Sequence, residues 1–221
     1  DGGFGRFRIV ESSIMEPALA AKFPEIKTYA GQGVDDPTAT VRFDWTPTGF
    51  HAMVLSANDT MFIDPYSHND TTHYISYFKR DYLPPAGKTF HEESLPSTDG
   101  LSAQEITTLR ATIGPRAAGT QLRTYRLAVA TSAEYTQFHG GTVNAGLAAV
   151  VTTINRVDGI YEREVAVRLV LVANNNLLIY TDPNTDPYSN NNPNALLTEN
   201  QTNIDNVIGS ANYDVGHVFT T

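Results

Sequence analysis

Cysteine is absent from this 221-residue sequence. That removes disulfides, thiolate nucleophiles, Cys-ligated zinc and iron–sulfur clusters together. It leaves the compartment open, because many secreted bacterial proteins also lack disulfides. Positive charge is scarce as well: 15 Lys and Arg stand against 24 Asp and Glu, a formal net of −9, with no basic run. Nucleic-acid and anionic-membrane binding both need clustered basic charge, so neither partner class is expected. No apolar run approaches the roughly 20 residues of a membrane-spanning helix. What remains is 41% hydrophobic and 18% charged, the composition of a globular chain. At roughly 100–200 residues per domain, the length suits one large or two small domains with a real core. The chain opens on Asp1 without a signal-peptide pattern and closes on Thr220-Thr221 directly after a strand-like run, so a piece of a longer polypeptide is expected.

Three textures divide it. Residues 1–83 hold most of the aromatics and read as β, with short strand-like runs at 7–10, 40–45, 50–55 and 60–63. Turn formers at 31–33, 46–49 and 57–59 separate them, and Pro24 closes a short helix at 17–23. A Tyr-rich tail follows at 74–82. Residues 84–121 carry Pro84-Pro85, Pro96, Pro115 and several glycines, and read as a linker with one capped helix at 102–111. Residues 122–221 read as α/β. A strand at 124–131 precedes a helix from about 142 to 161, in which Val143, Leu147, Val150, Ile154, Val157 and Tyr161 form one continuous face. A strand at 165–172 is apolar on both faces but for Arg168. Strand, helix, strand make a βαβ unit. A loop rich in Asn, Pro and Asp, a helix at 195–208 stopped by Gly209, and a strand at 215–220 complete the segment. The expected fold class is α+β in the first part and α/β in the last.

The chemistry-bearing residues form no complete site. Six histidines, His51, His68, His73, His91, His139 and His217, are the main candidate metal ligands, and no pair has the H-E-x-x-H spacing. His68 and His73 flank Asp70 in a turn-like stretch that reads as a solvated loop rather than a metal site. His91-Glu92-Glu93 begins like a zinc motif without a second histidine. His217 reads as a hydrogen-bonded strand residue. Asp35-Asp36 and Asp182 with Asp186 lack the EF-hand spacing and read as surface turns. Asn58, Asn69 and Asn200 fit the N-glycosylation pattern, as an Asn/Thr-rich chain does by chance. Tyr74, Tyr77, Phe78 and Tyr82 suit a tail docked on a neighbouring domain more than a ligand platform. No phosphate-binding loop, dinucleotide fingerprint or G-x-S-x-G elbow occurs.

From Arg123 onward the chain resembles a known family. Thr124-Tyr125-Arg126-Leu127-Ala128-Val129-Ala130 leads into Ser132-Ala133-Glu134-Tyr135. Ile154-Asn155-Arg156-Val157-Asp158 continues to Ile160-Tyr161-Glu162-Arg163-Glu164 and Val167-Arg168-Leu169. Asn203-Ile204-Asp205 and Asn212-Tyr213-Asp214-Val215-Gly216-His217-Val218-Phe219 close the match. This resembles the N-terminal part of a bacterial reprolysin-like, adamalysin-type zinc metallopeptidase of the metzincin clan. Phe50-His51-Ala52-Met53-Val54, Phe62-Ile63-Asp64-Pro65-Tyr66 and Tyr77-Phe78-Lys79-Arg80-Asp81-Tyr82 resemble, more loosely, the propeptide of such precursors.

The resemblance implies a domain plan: 1–83 a β-rich propeptide-like module, 84–121 a linker, and 122–221 the N-terminal βαβ…αβ part of a metzincin-like three-layer domain. In the family, three histidines of H-E-x-x-H-x-x-G-x-x-H hold zinc and the glutamate activates its water. That motif is not among these residues. No catalytic, cofactor-binding or metal-ligating residue is therefore assigned, and zinc is expected in the full-length parent but not bound by this chain. The expected partners are protein or peptide substrates of the parent and the remainder of its own catalytic domain, in an extracellular setting. Arg116 and Arg123 are candidate processing points, and Asp64 or His91 candidate caps on the zinc. A family-type calcium at Asp205 is not claimed, because Leu127 stands where an acidic partner belongs. Without the zinc-motif helix, the interior faces of Val150, Ile154, Leu169 and Leu171 should expose apolar area, favouring self-association or docking of residues 1–83. The alternative is a non-catalytic extracellular binding or adhesion module.

Overall fold

The computed structural model describes residues 4–57, 59–68, 70–83, 121–190 and 192–220. Its first part is a six-stranded antiparallel meander: β1 (Phe7–Glu11), β2 (Lys27–Gly33), β3 (Thr40–Thr46), β4 (Gly49–Leu55), β5 (Thr60–Pro65) and β6 (Tyr74–Phe78), each beside the next. A short helix, α1 (Pro17–Lys22), sits between β1 and β2. Two expectations need correction. The glycines at 31–33 are not a turn but lie within β2. Gly31 is small because neighbouring strands crowd it: a Cβ there would stand 2.8 Å from Val41 and 2.9 Å from Ile9. The Tyr-rich tail is the edge strand β6, with Tyr77 opposite Phe62. The expected 102–111 helix lies outside the described residues.

The second part holds β7 (Arg123–Thr131), α2 (Ala133–Phe138), α3 (Val143–Val165), β8 (Val167–Leu171), α4 (Pro193–Ile208) and β9 (Val215–Phe219). The strands form a parallel sheet of order β8-β7-β9, the βαβ arrangement read from the hydrophobic periods. Thr142 caps α3 by accepting from the Ala145 N–H at 3.1 Å. The helix runs one turn past the expected 161 and stops at Ala166, whose φ of 53° is left-handed and whose N–H returns to the Tyr161 carbonyl. Residues 165 and 166 therefore belong to the helix and its cap, not to the following strand. The α2 helix, capped by Ser132 through the Tyr135 N–H, is too short to announce itself by periodicity.

Strand β7 divides its partners. Its first half pairs with β8 and its second half with β9, and Leu127 is common to both registers. Opposite the second half, on the β8 side, Asn175 takes the place of a strand. Its Oδ1 accepts from the Val129 N–H at 2.7 Å and its Nδ2 donates to the Val129 carbonyl at 3.0 Å, with the side chain fully buried. Asn175→Ala strands two buried backbone groups. It is expected to cost about 2 kcal/mol, read as a lower urea midpoint at unchanged slope. A shift within error would mean that water replaces the amide.

Helix α3 lies between the two sheets, and α4 covers the opposite face of the parallel sheet. Leu147, Val150, Val151 and Ile154 of α3 join Leu127, Val129, Leu169 and Leu171 in one core, while Ala128, Ala130, Leu178, Leu196, Ile204 and Ile208 form a second under α4. The first core also contains Ile14, Met15, Leu19 and Ile26. Residues 14–16 run beside β8: the Leu171 N–H donates to the Ile14 carbonyl at 2.7 Å, and the Glu16 N–H to the Leu171 carbonyl at 2.9 Å, in a parallel bridge. Of the two outcomes expected from the apolar faces of Val150, Ile154, Leu169 and Leu171, self-association or docking of residues 1–83, the structure shows docking. All four are buried, and residues from the first 83 help to cover them.

Candidate functional site

The flank of α3 turned toward the antiparallel sheet is polar. Gly159 makes the close approach possible, since a Cβ there would lie 2.8 Å from Met53 and 2.9 Å from the Arg42 side chain. Arg42 of β3 is buried, forms an ion pair with Glu162, and donates from Nη1 to Ser12 Oγ at 3.3 Å. Arg168 of β8 stands on the other side of Glu162 at 3.5 Å and donates to the Ser13 carbonyl at 2.8 Å. Beneath them lies Asp158, fully buried. Its Oδ1 accepts from the Leu169 N–H at 2.8 Å, and its Oδ2 has no hydrogen-bond partner among the described residues. Burial pushes this carboxyl up to about 7, with Glu162 adding to the rise and the two guanidinium groups opposing it.

A second polar group lies farther along α3. Arg156 pairs with Asp64 at 2.6 Å and covers the Phe62 ring. Asp64 accepts from the Tyr77 hydroxyl at 2.8 Å, and burial together with that carboxylate raises Tyr77 to about 12. Buried Asp44 accepts from Thr152 Oγ1 at 2.8 Å and faces His51 Nδ1 at 3.0 Å. A cavity of about 360 Å³ opens beside this group, lined by Thr48, His51, Asp64, His68, His139 and Thr152 among others. The His68 and His139 rings are 6.2 Å apart, and burial with the neighbouring His68 lowers His139. A different groove, of about 410 Å³, runs between α3 and the parallel sheet. It is apolar, with Leu127, Ile154, Val157, Leu169 and Phe219 in its walls.

The residues singled out in the sequence do not converge. His73 bonds Asp70 at 2.9 Å, while His68 turns away toward His139 and Phe138. Asp35 pairs with Arg6, Asp36 closes a turn on Thr38, and Asp182 caps Asn184. Asp186 accepts from the Ala133 N–H. His217 is exposed on β9 and meets Phe219 edge to face at 5.0 Å. Asp205 receives the Tyr213 hydroxyl at 2.8 Å, and Leu127 is buried. Asn200 is buried and accepts from the Tyr188 hydroxyl, which leaves no room for a glycan. Arg123 begins β7 and donates its N–H to the Ala166 carbonyl. Asn58, Asn69, His91 and Arg116 lie outside the described residues. Arg42, Asp158 and Glu162 were missed. Only Arg168, a lone charge in an apolar strand, gave a signal.

Residues 121–221 match the family model of metallo-peptidase family M12B, reprolysin-like. This part of the chain is reprolysin-like. No curated protein matches the chain. The reprolysin-like family implies zinc, which takes three or four protein ligands. Among the described residues no group of three His, Cys, Asp or Glu side chains is placed to hold a metal ion. The histidine-lined cavity brings His68 and His139 together, but His51 is committed through Nδ1 to Asp44 and Asp64 to Arg156. The described residues therefore do not fit a zinc centre. Among the described residues no helix is long and apolar enough to cross a membrane.

Proposed function

We propose that the chain is the front part of a secreted zinc endopeptidase precursor. In this reading, residues 1–83 are a pro-segment and 122–221 the metzincin-like scaffold of the catalytic domain. The family match over 121–221 is the observation that carries it. The scaffold's part is positional: the parallel sheet and α3 supply the frame beside which substrate and metal-bearing elements are arranged. The 221 residues contain no H-E-x-x-H, so these residues by themselves hydrolyse no peptide bond. Processing falls within 84–121, and Arg116 is the better cut, because Arg123 is already hydrogen-bonded into β7. Zinc titration and casein hydrolysis on the purified 221-residue chain are expected to give neither stoichiometric metal nor cleavage, and either positive result overturns the assignment. Reading the parent coding sequence beyond Thr221 tests the other half, with H-E-x-x-H expected there.

A second reading, a non-catalytic binding module, draws on the outer face of the antiparallel sheet. There Tyr29 stacks on Phe43 at 4.7 Å, and Phe50 meets Phe43 and Tyr74. A downstream motif lacking the glutamate would favour it.

A further inference from the structure

We propose that residues 12–26, through their bridge to β8 and helix α1, are a built-in part of the fold that holds the parallel sheet, so that cutting the connection at 84–120 leaves the two pieces joined in a stable non-covalent complex. This goes beyond the peptidase reading and does not need it.

Backbone geometry is the first ground. The outer edge of β8 offers an unpaired N–H and carbonyl at Leu171, and residues 14–16 satisfy both. Removing them exposes a bare edge in the middle of the fold. Packing is the second ground. Ile14 and Leu19 are fully buried and Ile26 nearly so, against side chains of α3, β7 and β8 that belong to the other piece. A removable cover would meet its partner through an interface with a polar rim and an apolar centre. Here the apolar centre is the hydrophobic core itself.

Side-chain bonds at the segment's two ends supply the third ground. Glu16 accepts from the Ala173 N–H at 2.8 Å, and Lys22 donates to the Ala173 carbonyl at 3.1 Å. Arg168 donates to Ser12 Oγ at 3.1 Å, beside its bond to Ser13. A pro-segment that only blocked a cleft would have no reason to complete the sheet on the edge away from β9. The segment's contacts place it in the structural interior, and a cut in the connection then nicks the chain without releasing its first piece.

The test uses the full chain with a specific protease site placed within 84–120. After complete cutting, size exclusion in native buffer is expected to return both pieces in one peak at the uncut volume, and in 6 M guanidinium, a concentration of order that unfolds typical domains, two separate peaks. Two peaks in native buffer overturn the proposal. Ile14→Asp, which puts a carboxylate in the core, is expected to weaken association of the cut pieces by about a hundredfold or more. Ile9→Asp, on the exposed face of β1, is expected to leave it unchanged. Equal loss in both variants overturns the assignment to this segment. Should Ile14→Asp fail to fold, the cut parent chain and Ile9→Asp still decide. Neither readout involves zinc or any peptidase activity of the chain itself, so failure of the peptidase reading would leave this result standing, and the reverse.

Discussion

Arg42→Ala is expected to lower the unfolding free energy by about 3–5 kcal/mol. The loss comes less from the ion pair than from what remains. Glu162 keeps only the more distant Arg168, and fully buried Asp158 loses one of the two guanidinium groups that favour its ionised form. A buried carboxylate deprived of its cation is far costlier than an exposed pair is valuable. Arg42→Lys restores charge but not the planar fork, and should fall between the two. The Arg42→Ala/Glu162→Ala double variant should lose less than the sum of the single changes, because the orphaned charge leaves with its partner. Urea unfolding at 0.1 and 1 M salt is the measurement. A loss under about 1 kcal/mol, or one that salt abolishes, would make the pair an ordinary surface contact.

Asp158→Asn should stabilise the fold by about 3–4 kcal/mol at pH 8 and by almost nothing near pH 3.5. The native carboxyl titrates at about 7, against an ordinary value near 3.9 in the unfolded chain. Between those two values the folded state holds a proton that the unfolded state has released. Stability from this group therefore falls as pH rises from about 4 to about 7 and is level above that. Asparagine keeps an oxygen for the Leu169 N–H and never ionises. Subtracting the two stability–pH curves isolates the carboxyl from the other titrating groups, His139 among them, which burial and the neighbouring His68 lower and which acts in the opposite sense as pH falls below the ordinary histidine range. Parallel curves would show that Asp158 is ionised in the fold at neutral pH, held there by Arg42 and Arg168.

These two residues also mark how far the sequence could be read. The periodic apolar stripe of α3 and the unbroken apolar run of β8 named their own structure, because each is a local pattern with a single physical solution. The strands β3, β4 and β5 were legible for the same reason. Gly31 was misread because glycine signals a turn and a tight strand crossing with the same letter, and only the neighbouring side chains distinguish them. The edge strand β6 looked like a tail because its aromatics are spaced for cross-strand partners that lie 9–17 residues away. The pairing of residues 14–16 with β8 could not be seen at all. It joins positions more than 150 residues apart, through backbone groups that every sequence possesses. The polar cluster was hidden for a related reason: Arg42, Asp158 and Glu162 each look like an ordinary surface charge until two sheets close on them.

Gly159 has a consequence for relatives of this chain. Helix and sheet touch there with only a hydrogen atom between them, so any side chain at that position must either push the helix outward or evict Arg42. A homologous sequence bearing a bulky residue at the corresponding place would have to seat its first sheet elsewhere, or have none. One position thus serves as a label by which chains sharing this architecture can be sorted from those that share only its parallel-sheet part.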